Sequence, residues 1–201
     1  MKNIFKQIPL YRFLKVCNEE CEEKSVLDCG AGGECPPLSL FAEYGYKTTG
    51  IELNEKQIAL AQEYSKSQNQ SLGIQFGDMR LLPFQDESFG NVYSYNSIFH
   101  MRKVDIKKCI MEMKRVLKPN GLMFVNFLSI DDFRCGQGPC LGDNEYEQMD
   151  DEPVIHSYFR HTEADKYFED MNLLYKEVRV LERIYEGKLI KQGFIDYILR
   201  K

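Results

Sequence analysis

The chain has 201 residues, enough for one well-buried domain and too few for two comfortable ones. Hydrophobic residues make up 43% and charged residues 28%, which excludes whole-chain disorder, and 26 Lys and Arg against 31 Asp and Glu argue against a nucleic-acid partner. No apolar run reaches the ~20 residues a membrane-spanning helix needs, the start Met1 to Pro9 has no secretory apolar region, and seven cysteines imply free thiols in a reducing cytoplasm.

Residues 1–24 read as an N-terminal helical cap, with Pro9 to Glu19 amphipathic. From Lys24 onward, strand-length apolar stretches alternate with helix-like ones, the pattern of βαβ units around a parallel sheet covered on both faces. Ser25 to Asp28 is the first strand, and Pro36 to Tyr44 reads as a helix with proline in its first turn and Gly45 at its end. Tyr46 to Ile51 is a second strand, after which Asn54 is placed to cap a helix from Glu55 to Ser65. Ile74 to Phe76 and Gly90 to Tyr95 are the third and fourth strands, joined through a connector that Pro83 interrupts. Ile106, Ile110, Met113 and Leu117 share one helical face, and Lys118-Pro119-Asn120-Gly121 then turns the chain into a strand from Leu122 to Phe127.

Residues 129–161, rich in glycine and acids, read as an irregular insertion, and Thr162 with Asp165 suggests a capped helix running to Met171. Leu174 to Ile184 and Leu189 to Leu199 flank a link of only four residues, too short for a parallel crossover, so they form an antiparallel hairpin. The expected architecture is a doubly wound α/β domain over residues 1–201, whose seven-stranded, mostly parallel sheet ends in that hairpin.

Chemistry concentrates at the carboxyl ends of the first three strands. Asp28 leads through Gly30 and Gly32 into a helix, a tight turn that lets backbone approach a ligand closely, although two glycines alone mark many turns. Glu52 lies 24 residues beyond Asp28, where a carboxylate can accept from both hydroxyls of a ribose. Asp78 can accept from an exocyclic amine while Met79 packs on a purine face. Ligands of such sheets bind outside these strand ends, so the three acids converge on one crevice.

On these residues the chain, across roughly 9–201, resembles the class I S-adenosylmethionine-dependent methyltransferases. The resemblance implies a Rossmann-like fold and S-adenosylmethionine as cofactor, with S-adenosylhomocysteine as product. It assigns Asp28, Gly30, Ala31 and Gly32 to the amino-acid part of the cofactor, Glu52 with Leu53 to the ribose, Asp78 and Met79 to the adenine, and Asn96 to a further contact. Tyr11 would lie over the cofactor as a lid. Two departures stand out: Glu34 occupies the position of a third glycine, which also argues against a dinucleotide fingerprint, and Asn91 replaces an acid common in relatives.

Methyl transfer from a sulfonium is an in-line displacement that asks mainly for alignment and exclusion of water. Where the acceptor must lose a proton, a histidine suits the role, and His100, just past the fourth strand, and His156 are the candidates. Each also has a packing reading, as do Tyr158 and His161 near the expected acceptor pocket. Cys135 and Cys140 lack partners at zinc-like spacing, so no metal is expected, and the acids between 143 and 152 read as a solvated loop, with recognition of a cationic acceptor as the alternative. The function expected is methylation of a small-molecule acceptor, with no nucleic-acid or membrane partner. A non-catalytic S-adenosylmethionine-binding protein and a methyltransferase acting on protein or RNA stay open, and a nicotinamide-dependent oxidoreductase is the competing enzyme class.

Overall fold

The computed structural model describes residues 8–150 and 152–201; the first seven residues of the N-terminal cap, and with them most of the segment inspected for a secretory signal, lie outside it. Helix α1 (Ile8–Glu20) buries Leu10, Phe13, Leu14 and Cys17, whose spacing draws one apolar stripe along the helix. Strand β1 (Ser25–Cys29), helix α2 (Leu38–Glu43), strand β2 (Lys47–Glu52), helix α3 (Glu55–Ser67) and strand β3 (Ile74–Phe76) follow as two crossover units. Asn54 caps α3 as expected, its side chain accepting from the amides of Lys56 and Gln57.

Strand β4 (Phe89–Ser94), helix α4 (Lys103–Val116) and strand β5 (Leu117–Ser129) complete the parallel part of the sheet. The turn expected at 118–121 is an irregularity inside β5: Phe89 pairs with Leu117 and Asn91 with Leu122, and Asn120 takes a left-handed φ of 63° between them. Asn91 is buried, and its Nδ2 donates to the carbonyls of Glu23 and Ser25 at 3.0 Å each, so the amide that departs from the family's acid ties β4 to the start of β1.

Strands β9 (Asn172–Tyr185) and β10 (Lys188–Arg200) form the expected antiparallel hairpin, and β10 also pairs antiparallel with β5. The main sheet therefore runs β3-β2-β1-β4-β5-β10-β9. Neighbouring residues along its strands go to opposite faces: Leu27, Val92, Met123 and Tyr197 pack with α4, while Val26, Tyr93, Phe124 and Ile198 pack with α1 and α2. No helix among the described residues is long and apolar enough to cross a membrane.

Two expectations are corrected between β5 and β9. The stretch read as an irregular insertion forms three antiparallel strands, β6 (Cys140–Gly142), β7 (Glu145–Met149) and β8 (Pro153–Phe159). Beyond the last residue of β4, β8 joins β5 in parallel at Leu128 and Ser129, so this flap stands over the carboxyl ends of the central strands. The helix expected from Thr162 to Met171 is only a 3-10 turn at Asp165–Tyr167. Asp165 accepts there from the Tyr197 hydroxyl and from Lys176, and Phe168 packs against Tyr197, so tertiary contacts hold the segment instead of a helical ladder.

Candidate active site

Four strand ends shape the first half of the site. After β1, Gly30 adopts a φ of 109°, and the amides of Gly30 and Ala31 both donate to the Ile51 carbonyl, at 2.8 and 3.1 Å, folding the loop back onto β2. Gly32 lies against Glu52 and Gln57; a Cβ there would sit 2.9 Å from Glu52 Oε2 and 2.6 Å from Gln57 Cβ. This turn therefore requires glycine for space as well as for conformation.

Glu52 Oε1 accepts from the amides of Leu53 and Asn54, each at 2.9 Å, which orients the carboxylate and leaves Oε2 toward the glycine loop. Asp78, beyond β3, is held by Arg80, whose Nε and Nη2 reach it at 2.6–3.0 Å. That guanidinium keeps the Asp78 carboxyl below the usual range. Glu52, Leu53, Asp78, Met79 and Arg80 line one cleft of about 280 Å³ together with Gly30, Ser97, His100 and Met101.

Asp28 sits beneath the glycine loop and is 1% exposed, with no hydrogen-bond partner on either carboxylate oxygen. Burial raises its pKa to about 8; the neighbouring Tyr93 hydroxyl holds the shift back, and the Glu52 charge adds to it. Ala31 is buried under the same loop. Of the sequence-predicted cofactor residues, Gly30, Glu52, Leu53, Asp78 and Met79 share the cleft wall, with Ala31 and Gly32 in the supporting loop and Asp28 buried beneath it in β1.

Two others fall elsewhere. Tyr11 is 39% exposed on α1 and does not line the cleft. Asn96, at a φ of 53°, is fixed by Asn126: Asn126 Nδ2 donates to Asn96 Oδ1 at 2.7 Å, and Asn126 Oδ1 accepts from the Asn96 amide at 2.8 Å. Asn96 faces a second hollow of about 220 Å³, bounded on its far side by the flap.

His100 lines both spaces. Its ring stands edge to face against that of His156, centroids 4.6 Å apart, and lies tilted by 53° against Phe99, centroids 4.7 Å apart. Burial, reinforced by the His156 charge, pushes the His100 pKa down to about 4, and burial likewise lowers that of His156. His100 is therefore neutral near pH 7. His156 is 3% exposed, set behind His100, and Tyr158 donates from its hydroxyl to Gln148 Oε1 at 2.8 Å. His161 instead pairs with Asp131 at 2.6 Å outside this hollow.

The sequence reading missed Arg80, Arg134, Asp150, Asn126 and Gln192. Arg80 sits two residues from Asp78, a spacing that pairs side chains by no rule of helix or turn. Asp150 was submerged in the acidic stretch, and it is the flap that turns it toward His156 Nε2, 3.6 Å away. Gln192 Oε1 is buried without a partner in the wall of the second hollow.

Residues 27–125 match the family described as "Methyltransferase domain". A sterol 24-C-methyltransferase of Pneumocystis carinii is 35% identical over 105 residues, covering 50% of this chain and 27% of the relative. A 27-O-demethylrifamycin SV methyltransferase of Amycolatopsis mediterranei is 31% identical over 98 residues, 48% of this chain and 35% of the relative. The chain thus spans about a quarter to a third of these relatives' length. Among solved structures, a SAM-dependent methyltransferase of Methanosarcina mazei superposes with a TM-score of 0.73 at 23% identity, over 100% of this chain and 99% of that one. One from Clostridium acetobutylicum does so at 0.68 and 16% identity, over 99% and 92%.

Proposed function

We propose that the chain, whose residues 27–125 match a methyltransferase domain, is a class I S-adenosylmethionine-dependent methyltransferase that methylates a small-molecule acceptor across the boundary marked by His100. The observation that carries this reading is that one imidazole lines both the cleft of Glu52 and Asp78 and the hollow under the flap. A donor held in the first space and an acceptor held in the second would meet there.

The residues fit the donor. Oε2 of Glu52 is open beside a glycine loop with no room for a Cβ, and beneath that loop the buried carboxyl of Asp28 lacks a partner, which an ammonium brought against it would supply on ionisation. Bound S-adenosylmethionine supplies an electrophilic methyl group on a sulfonium. Glu52 would accept from its ribose hydroxyls, and Asp78, released in part from Arg80, from its adenine amine. Met79, half-buried against the core, offers a polarizable surface for the purine.

On the acceptor side, neutral His100 can take the proton of an acceptor that must lose one, with His156 packed behind it. The flap bounds the hollow on its far side, so alignment rather than a covalent enzyme intermediate drives the transfer. The relatives named for a sterol and a rifamycin favour a small acceptor over a macromolecule. Within this reading residues 1–201 act as one methyltransferase unit, the 129–161 segment supplies the acceptor wall, and seven unpaired cysteines suit a reducing cytoplasm.

The test is transfer of labelled methyl from S-adenosylmethionine to a panel of amines, thiols, phenols and carboxylic acids, run beside a cell extract. Labelled small-molecule product is expected. Label found only in protein or RNA would move the acceptor to a macromolecule, and tight S-adenosylhomocysteine binding with no product anywhere would make the chain a binding protein.

A further inference from the structure

Three side chains from segments far apart in the sequence meet in the wall of the acceptor hollow. His100 comes from the loop after β4, Asp150 from the turn between β7 and β8, and His156 from β8; one ligating atom of each lies within 4.8 Å of the others. Asp150 Oδ2 is 3.6 Å from His156 Nε2, while Oδ1 accepts from Arg134 Nη1 at 2.8 Å, so the carboxylate is oriented by one oxygen and leaves the other to the histidines. His156 is 97% buried, and its Nδ1 has no hydrogen-bond partner. Gln192 Oε1, also buried and unpartnered, lines the same hollow.

Aromatic packing accounts for the contact between the two rings but not for a carboxylate brought against them, nor for unpartnered polar atoms gathered at one place. His156 Nε2 faces Asp150 Oδ2 across 3.6 Å, too far for a good hydrogen bond, and Gln192 Oε1 in the same hollow has no partner, so polar atoms that cost free energy when buried unpaired leave a place for a ligand between them. We propose that His100, Asp150 and His156 form a two-histidine, one-carboxylate site for a divalent transition-metal ion. Imidazole with carboxylate suits ions such as Zn²⁺, Co²⁺, Fe²⁺ or Ni²⁺, and three protein ligands leave positions open for water or a substrate heteroatom. Arg134 then acts as the partner that orients the ligating carboxylate.

The site opens onto the space where the acceptor is placed, so the ion's role in transfer rests on the reading above, whereas its binding does not. A coordinated hydroxyl or thiol would release its proton to solvent, and its lone pair would form the new bond to the methyl carbon. The carbon–sulfonium bond breaks at the same time, and its electron pair stays on sulfur. The acceptor class this selects is a small hydroxyl- or thiol-bearing molecule, and His100 then serves as ligand rather than as base.

The experiment is titration of the metal-free protein with Co²⁺ alone, read by visible ligand-field absorption and by equilibrium dialysis. One equivalent per chain is expected, with affinity falling at least tenfold in both His156→Gln and Asp150→Asn and staying unchanged in Cys140→Ser, a solvent-facing thiol outside the triad. Asp150 lies on a turn, so its variant keeps the test readable if a change at buried His156 unfolds the chain. Fold is checked by circular dichroism and donor binding by S-adenosylhomocysteine calorimetry, so failure of the donor reading shows separately. Absence of stoichiometric Co²⁺ binding, or binding that survives both substitutions in folded protein, would overturn the site.

Discussion

Replacing Glu52 by alanine should weaken S-adenosylhomocysteine more than replacing Asp78, and the structure sets the order. Glu52 Oε1 is already occupied by two backbone amides at 2.9 Å, so the ribose must be served by Oε2, which faces the loop at Gly32. One charge-assisted bond there is worth about 1.5–3 kcal/mol, and at ~1.4 kcal/mol per tenfold Glu52→Ala should raise Kd about 10- to 150-fold. Asp78 starts from a bidentate pair with Arg80 and must loosen it to meet an adenine amine, so the net loss in Asp78→Ala should stay below about tenfold. Isothermal calorimetry measures both. Glu52→Gln separates charge from shape, since its amide oxygen can still accept from Leu53 and Asn54 while the charge on the ribose side is gone. A comparable thermal midpoint among the variants shows that the loss is local. Native-like affinity in Glu52→Ala would refute the ribose assignment, and a larger loss in Asp78→Ala than in Glu52→Ala would refute the ordering.

Asp28 has a folded pKa raised to about 8 by burial, so its contribution to stability is full below the ordinary carboxyl range near pH 4 and is lost as pH rises toward 8. Ligand-free protein should therefore lose thermal stability over that window, and Asp28→Asn should flatten the dependence. If the donor's ammonium settles against Asp28, S-adenosylhomocysteine binding at pH 7 should release protons, seen as a dependence of calorimetric heat on buffer ionisation enthalpy that disappears in Asp28→Asn. His100, held down to about 4, stays neutral above that pH; with donor saturating, kcat should be level from about pH 8 to 5, and His100→Ala, which removes the base or the metal ligand, should lower kcat by about 10²–10⁴ with donor affinity little changed. An acid limb centred near 6.5 that His100→Ala removes would contradict the lowered pKa. Gly32→Ala should abolish detectable donor binding, because its Cβ would press within 2.6 Å of Gln57 and 2.9 Å of Glu52; Tyr11→Phe, at an exposed position away from the cleft, should leave it unchanged.

What the sequence made legible follows from the range over which each signal acts. Asn54 announces its helix because capping is settled within three residues, and the hairpin is legible because a four-residue link admits no crossover; Glu186 and Gly187 supply the positive φ angles it needs, 49° and 74°. The donor cleft was legible for the same reason, since Asp28, Glu52 and Asp78 lie at or just past the ends of their own strands and the parallel order of β1, β2 and β3 brings those ends side by side, although Asp28 is buried beneath the cleft and only Glu52 and Asp78 line it. The acceptor wall follows no such local rule. In β8 the last four residues, His156 to Phe159, are all buried, so two polar side chains interrupt the alternation that would have marked a strand. His156 and Ser157 are tolerated there through partners distant in sequence: the Ser157 hydroxyl donates to the Met101 carbonyl at 2.7 Å, and its amide donates to the Phe99 carbonyl at 3.0 Å.

Those two bonds also tie the flap to the loop carrying His100, which couples the acceptor wall to the donor side. Removing the hydroxyl in Ser157→Ala leaves the part-buried Met101 carbonyl without this donor, at a cost of about 0.5–1.5 kcal/mol. The strain falls on the segment that sets the height of His100 between the two spaces. Ser157→Ala should therefore lower kcat while leaving S-adenosylhomocysteine affinity near native, because Glu52 and Asp78 are held by β2 and the turn after β3 and not by the flap. Parallel losses in kcat and in donor affinity would show instead that the two spaces deform as one body.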